Sequence, residues 1–396
     1  MLTQRALVLL IAGLLSASAW LAAAPEAGAQ QALRIGEFVT ITGPLAAYGN
    51  QLRNARALAA EEINARGGVN VGGTRYKLEI VSLDSGPPGE ALKVFERLLS
   101  VEKVSLVLDG LFSSTQYAMG PVLKGKKAMV VWSGGNDPGT TVGVPNAFRN
   151  HFDGGAPFMK VSGDFLRKMG AKRVASYGLT GHVEFKKFVE EYLPKIPGVQ
   201  MVATEWHTFG EKDFFPILTK LKGLRPEAVF THTIGADMVT MVKQAREIGL
   251  YPGPLWINQS AMGPLMIDEE SRKIMEGAYE SLKSGSAGTT EPTPKARAFF
   301  EKYAKKYGEK GFGPWTESGW DSLFIVAKAV EKAGSMDDVQ KVIDAMRTLT
   351  TEDIPELLLQ YKPGKIFDQD GQAYPKILIS QWKGGKHVQA HSDHGR

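Results

Sequence analysis

The chain is predicted to be an α/β protein of two Rossmann-like lobes with a ligand cleft between them. Three observations point there. Its 396 residues exceed what one hydrophobic core usually supports. Short apolar runs alternate with helical segments, which asks for parallel sheets covered by helices on both faces. The alternation then restarts after residue 150, as a second unit would. Sheets of this kind bind ligands beyond the carboxyl ends of their strands.

In the first unit, 33–39 alternates apolar and polar residues and reads as a strand ending at the turn Thr40-Ile41-Thr42-Gly43-Pro44. A helix over 50–66 carries Leu52, Ala55, Leu58, Ala59 and Ile63 on one face and stops at Gly67-Gly68. Tyr48 is thereby placed just before a helix N-terminus. Strands follow at 76–83, 104–108 and 128–132, with helices at 89–100 and 116–123 between them. The second unit reads as helix 157–169, strand 173–177, helix 184–193, strand 200–205, helix 214–221, strand 228–233, helix 237–248 and strand 254–258. Helices at 293–307, 317–332 and 336–349 form a third block. Strand character returns at 364–368 and 376–382, and the polar end, 384–396, is expected to fray.

Composition narrows the function. With 43% hydrophobic and 22% charged residues the chain is an ordinary globular protein. Its formal charge of +5 is spread along the sequence without a basic run, so nucleic acid is not an expected partner. The absence of cysteine removes disulfides, thiolate metal sites and a cysteine nucleophile together. The first thirty residues have the form of a secretory signal: Arg5, then an alanine-rich apolar run, then Ala27-Gly28-Ala29 before Gln30. A membrane anchor is the rival reading of that run. The small-residue cut site favours cleavage near Ala29 and an exported, periplasmic chain.

Two junctions stand out. In Leu108-Asp109-Gly110-Leu111-Phe112-Ser113-Ser114-Thr115 a strand runs into a helix start, which offers unpaired N–H groups and hydroxyls to an anion. One strand later Gly134-Gly135-Asn136 occupies the same sheet edge, where glycines permit close backbone approach. Singly each is an ordinary helix cap or turn; side by side they suggest a site. Phe112 is counted with it, and Tyr48 is the aromatic placed to lean over a cleft, whereas Trp132, Tyr177 and Trp256 read as core. Nucleotide fingerprints, the G-x-S-x-G elbow and H-E-x-x-H are all absent, so no cofactor or metal is expected. His182 and His232 fall near the ligand edge of the second unit, with structural and ligand roles evenly balanced. His387, His391 and His394 read as solvated tail.

From Ile35-Gly36 through Thr42-Gly43-Pro44 and Tyr48-Gly49, then Ala57 to Val69, and on through "LDGLFSST", "QAREIGL" and "IFDQDGQ", the chain resembles the leucine/isoleucine/valine-binding family of periplasmic solute-binding proteins. The resemblance runs from about 33 to 386. It implies a type I periplasmic binding fold, two lobes joined by three crossovers, with lobe 1 at 30–150 and 284–360, lobe 2 at 151–283 and 361–386, and a tail at 387–396. It also implies that Ser113, Ser114, Gly134, Gly135 and Asn136 hold a ligand carboxylate and that Tyr48 covers its side chain. Second-lobe contacts fall near His182 and Ile234. The family's acid for an α-ammonium group falls on Gln259, an uncharged amide, which makes a branched-chain amino acid a doubtful ligand.

The expected function is therefore capture of a small organic solute, an amino acid or a related aromatic or aliphatic carboxylate or amide, for the membrane permease of an ABC importer. The expected state is a monomer without cofactor. A receptor of the same fold that signals through a partner is the alternative. An enzyme comes third, with His182 and Glu184 as its one nameable pair.

Overall fold

β1 (Ala32–Val39) is buried along most of its length, as a strand covered on both faces must be. It is followed by α1 (Ala46–Ala65), a hairpin of β2 (Val69–Val71) and β3 (Thr74–Asp84), α2 (Ala91–Ser100), β4 (Leu106–Asp109), α3 (Ser113–Leu123), β5 (Met129–Trp132) and β6 (Ala147–Arg149). These strands make a six-stranded sheet ordered β2-β3-β1-β4-β5-β6 in a computed structural model that describes residues 32–395 except 44, 87, 110, 111, 260–268, 284–291 and 314. β1, β4, β5 and β6 pair in parallel, with Gly36 opposite Val107 and Leu108 opposite Val131. The expected signal at 1–29, Gln30, Gly110, Leu111, Ser260, the boundary at Ser284 and Arg396 lie outside the described residues.

The second sheet is built from β7 (Arg173–Leu179), β8 (Gln200–His207), β9 (Ala228–His232), β10 (Leu255–Gln259), β11 (Tyr279–Lys283), β12 (Ile377–Lys383) and β13 (Lys386–Asp393), in the order β13-β12-β11-β10-β9-β7-β8. Its helices are α4 (Ala156–Met169), α5 (Val183–Lys187), α6 (Phe215–Leu224), α7 (Gly235–Glu247) and α8 (Glu269–Ile274). Strand order reverses direction between β1 and β4 in one sheet and between β7 and β9 in the other. Such switch points open a crevice at the strand ends. The late helices α9 (Pro294–Tyr307), α10 (Thr316–Ala333) and α11 (Val339–Met346) return to the first sheet, where Leu323, Val342 and Met346 share a core with Ile35, Leu108 and Val131.

Several expectations are corrected. The polar end does not fray: β13 pairs antiparallel with β12 and closes an edge of the second sheet. Its His387 is fully buried, with Nδ1 2.7 Å from Ser380 Oγ, so it is not solvated tail. The strand expected at 364–368 is a loop with single bridges, because its partners Thr350 and Ala373 each meet it at one residue. Helix 50–66 begins a turn earlier, so Tyr48 lies inside the first turn of α1. The helix expected over 184–193 is α-helical only to Lys187, then passes through a π turn at Phe188–Tyr192. β2, β6 and β11 were not anticipated: β2 and β6 have three residues each, too few to show a period, and β11 carries Glu280, Ser281 and Lys283 among its five.

Two buried arginines brace the strand ends. Arg56 of α1 is wholly buried; its Nη1 is 3.0 Å from Glu37 Oε2, and its Nη2 donates to the Asp109 carbonyl at 2.8 Å and to Ser133 Oγ at 3.0 Å. One guanidinium therefore ties together the carboxyl ends of β1, β4 and β5. Arg149 does the same where chain segments cross between sheets: Nε donates to Gln372 Oε1 at 2.6 Å, Nη1 to Thr140 Oγ1 at 3.0 Å and to the Asp137 carbonyl. Its backbone pairs with Gly371 and Ala373, bringing two crossing segments side by side.

Replacing Arg56 with Met leaves Glu37 charged and unpaired in a dry interior, which costs about 3–5 kcal/mol. Denaturant unfolding of R56M should show that loss and R56M/E37Q should recover part of it. Equal stabilities for R56M and the parent would mean that the pair holds nothing. A chain ended at Gly385 removes β13 and should melt at a lower temperature than the parent by calorimetry; an unchanged midpoint would restore the frayed-tail reading.

Candidate ligand-binding site

The cleft lies where the two switch points face each other. On the first sheet's side, α3 starts at Ser113 behind an extended Phe112. Ser113 Oγ accepts from the Asp137 N–H at 3.3 Å, and Gln116 Nε2 donates to the Gly134 carbonyl at 2.6 Å, so the two junctions recognised in the sequence are hydrogen-bonded to each other. Gly135 has φ +61°, and a Cβ there would lie 2.7 Å from Ser113 Oγ. No larger residue fits. Gly135 and Asn136 are thereby pressed to the cavity wall, with Asn136 Oδ1 buried and without a hydrogen-bond partner.

Apolar groups close the same end. Tyr48 packs edge-on against Trp315, ring centroids 5.2 Å apart, and Leu45 and Phe112 complete the wall. Burial pushes the Tyr48 phenol well above its usual range, so it stays protonated; its hydroxyl faces the Gly235 backbone across the cleft.

The second sheet contributes His182 ahead of α5, Glu184 in the first turn of α5, His232 at the end of β9 and Ile234 ahead of α7. The two imidazoles are 4.2 Å apart by ring centroid, and Glu184 Oε1 is 3.7 Å from His182 Nδ1. Burial pulls His182 down to about 4 and His232 well below its ordinary value. Burial also lifts the Glu184 carboxyl to about 7, with Asp137 adding to the rise and the Ser113 hydroxyl opposing it. Nδ1 of both histidines is buried and without a hydrogen-bond partner.

Tyr48, Phe112, Gly135, Asn136, His182 and Ile234 thus line one cavity, together with His151 from the crossing segment. The other candidates do not. Ser113 is buried beneath the wall, Gly134 is engaged through its carbonyl, and Ser114 is turned to solvent on the outer face of α3. Gln259 is fully buried at the end of β10, with its amide against His232 rather than open to the cavity. Glu184 corrects the view that the second wall lacks an acid: one reaches the cleft from α5 instead of β10. Leu45 and Trp315 carry no sequence signal that could have singled them out, since both precede helices as ordinary apolar residues do.

The walls also touch outside the cavity. Lys187 of α5 reaches across to Tyr117 Oη at 2.9 Å and to Asp137 Oδ2 at 3.0 Å, and Asp137 is itself buried. Such a contact exists only while the lobes are together.

A cleft between two mixed, mostly parallel sheets, walled by both and bridged by Lys187 outside the cavity, has the architecture of a two-lobed binding protein. The sequence matches the periplasmic binding protein family over residues 32–386, and the chain belongs to that family. It is 25% identical to Leu/Ile/Val-binding protein homolog 7 of Brucella abortus (strain 2308), covering 94% of this chain and 95% of that one. Its fold is shared with LivJ, a branched-chain amino acid transporter substrate-binding protein from Streptococcus pneumoniae solved with isoleucine (24% identity, 91% and 100% coverage, TM-score 0.75). It is shared too with a solute-binding protein from Rhodopseudomonas palustris HaA2 solved with p-hydroxybenzoic acid (18% identity, 91% and 96% coverage, TM-score 0.77). The first is named as a binding protein, the second as a transporter substrate-binding protein and the third as the solute-binding protein of an ABC transporter. Among the described residues, no helix is long and apolar enough to cross a membrane.

Lys187 is partly solvated, so its cross-cleft pair contributes on the order of 0.5–1 kcal/mol to closure. K187M should therefore weaken solute binding roughly two- to fivefold, and added salt should weaken the parent more than the variant. Calorimetric titration at two salt concentrations reads both effects; parallel salt responses would show that the latch is incidental.

Proposed function

We propose that this chain is the extracytoplasmic solute-binding component of an ABC importer. It captures a small organic solute, an amino acid or a related carboxylate or amide, between lobes at 30–150 with 284–360 and 151–283 with 361–386, and delivers it to a membrane permease. The supporting observation is the cavity itself: both walls supply buried polar atoms without partners, Asn136 Oδ1 from one and two imidazole nitrogens from the other, within an apolar frame. Unsatisfied buried groups of this kind cost stability unless something polar meets them. A solute held there shifts an open–closed equilibrium by its preference for the closed form. Relatives solved with isoleucine and with p-hydroxybenzoic acid bracket the ligand class. Export to the periplasm, cleavage near Ala29 and a monomeric state complete the reading.

Glu184 changes the expected ligand set. An ammonium-bearing solute can form a charge-assisted bond with its carboxylate, while a solute with only a carboxylate meets it favourably when Glu184 is protonated. The mature chain from Gln30, titrated against amino acids, aliphatic and aromatic acids and amides with melting temperature as readout, should be stabilised by one chemical class. N136A should weaken that ligand by about 1–3 kcal/mol while folding normally. No stabilisation by any class would remove the solute-binding reading.

A further inference from the structure

We propose that His182, Glu184 and His232 form a binding site for one divalent transition-metal ion of the zinc class. The inference goes beyond solute capture and does not depend on it, although the two would share the cleft.

The donor set has the composition of a metal site: two imidazoles and one carboxylate, each able to offer one ligand atom, all within 4.8 Å of one another. It is the one such His/Asp/Glu grouping among the described residues. A tetrahedral zinc with bonds of 2.0–2.1 Å holds its ligand atoms about 3.3 Å apart. Side-chain rotation would close the remaining gap, since His182 immediately precedes the short helix that carries Glu184 and His232 ends β9, which pairs with β7. His232 is 5% exposed, and its Nδ1 and that of His182 are buried without a hydrogen-bond partner. Each Nδ1 can offer a lone pair when its ring carries the proton on Nε2.

The surroundings supply what metal sites need around their ligands. The Gln259 amide lies near the His232 ring, its Nε2 and Oε1 buried without a hydrogen-bond partner, and the Ser113 hydroxyl lies near the Glu184 carboxyl. Groups in these places orient ligands, and removing them costs roughly 10–100-fold in metal affinity. Three protein ligands would leave a fourth position open, and Asn136 and Gly135 line the same cavity as the three ligands. A divalent ion with one carboxylate ligand keeps a net positive charge there. That charge would let a solute carboxylate approach a wall that otherwise presents Glu184 to it.

The test uses the untagged mature chain, stripped with chelator and dialysed. Zinc chloride is titrated calorimetrically at neutral pH, and melting is followed with and without zinc. One saturable site per chain, with raised melting temperature, is expected. H232A and H182A should abolish that site, and E184Q should weaken it roughly tenfold or more. H391A/H394A should leave it intact. Circular dichroism confirms that each variant is folded, and H232Q keeps ring volume if H232A unfolds. Absence of saturable binding, or binding kept in H232A and H232Q but lost in H391A/H394A, would overturn the assignment. The organic panel repeated in EDTA separates the two readings, because solute stabilisation without a zinc site removes the metal and leaves solute capture standing.

Discussion

The strand ends behind the first wall converge on Arg56. A guanidinium in a dry interior is costly unless each donor has an acceptor, and here the acceptors come from three different strand ends: Glu37, the Asp109 carbonyl and Ser133. Satisfying the charge therefore forces β1, β4 and β5 into one register at their carboxyl ends. The junctions that follow those strands, Thr40 to Tyr48, Phe112 to Ser113 and Gly134 to Asn136, inherit that placement. A hydrophobic residue of the same volume could fill the space, but it would not select which strand ends meet.

A second buried arginine sits where the lobes join, with one guanidinium nitrogen, Nη2, left without a hydrogen-bond partner. Arg149 is bound by Gln372, Thr140 and the Asp137 carbonyl, and the loop that carries Asp137 also carries Asn136. The side chain of Asp137 then takes Lys187 from the other lobe. Crossing segment, cavity wall and latch are thus successive partners in one polar chain. Bonded polar groups thus link the two lobes beside the apolar cluster in which Tyr48 and Trp315 meet Leu179 and Ile234.

Much of the fold was legible in the sequence because it rests on periodicity. Runs such as 104–108 and 128–132 are too apolar for anything but buried strands, and their spacing by helices requires a parallel sheet. The two junctions were legible for the same reason, since a strand followed by Ser or Gly-Gly marks a sheet edge. What escaped was partnership across distance. Nothing in the local sequence says that Ser113 would spend its hydroxyl on Asp137 and Glu184, or that Gln116 would take the Gly134 carbonyl. His387 looked solvated because most of β13 is polar, and its burial comes from β12 and β11, where Ser380 Oγ is 2.7 Å from Nδ1 and Glu280 Oε2 is 3.3 Å from Nε2. Trp315 reaches the cleft only because α10 returns from far along the chain to cover the first sheet.

The position of the acid is the sharpest case. Read along β10, Gln259 stands where a carboxylate would be expected, and the second wall looks neutral. In the fold that position is sealed beneath His232, where an ionised carboxylate would face desolvation with little compensation. Glu184, on the first turn of α5, lies at the positive end of a short helix and against a hydroxyl, which lowers the cost of its charge. Moving the acid from a strand end to a helix start turns it by one wall position, from beneath the histidines to beside them. An imidazole pair and a carboxylate thus line the cavity together. That combination recognises electron-poor partners, while Asn136 on the facing wall can both donate and accept. The ligand is consequently expected to present opposite polarity to the two walls, with its apolar part against Tyr48 and Trp315.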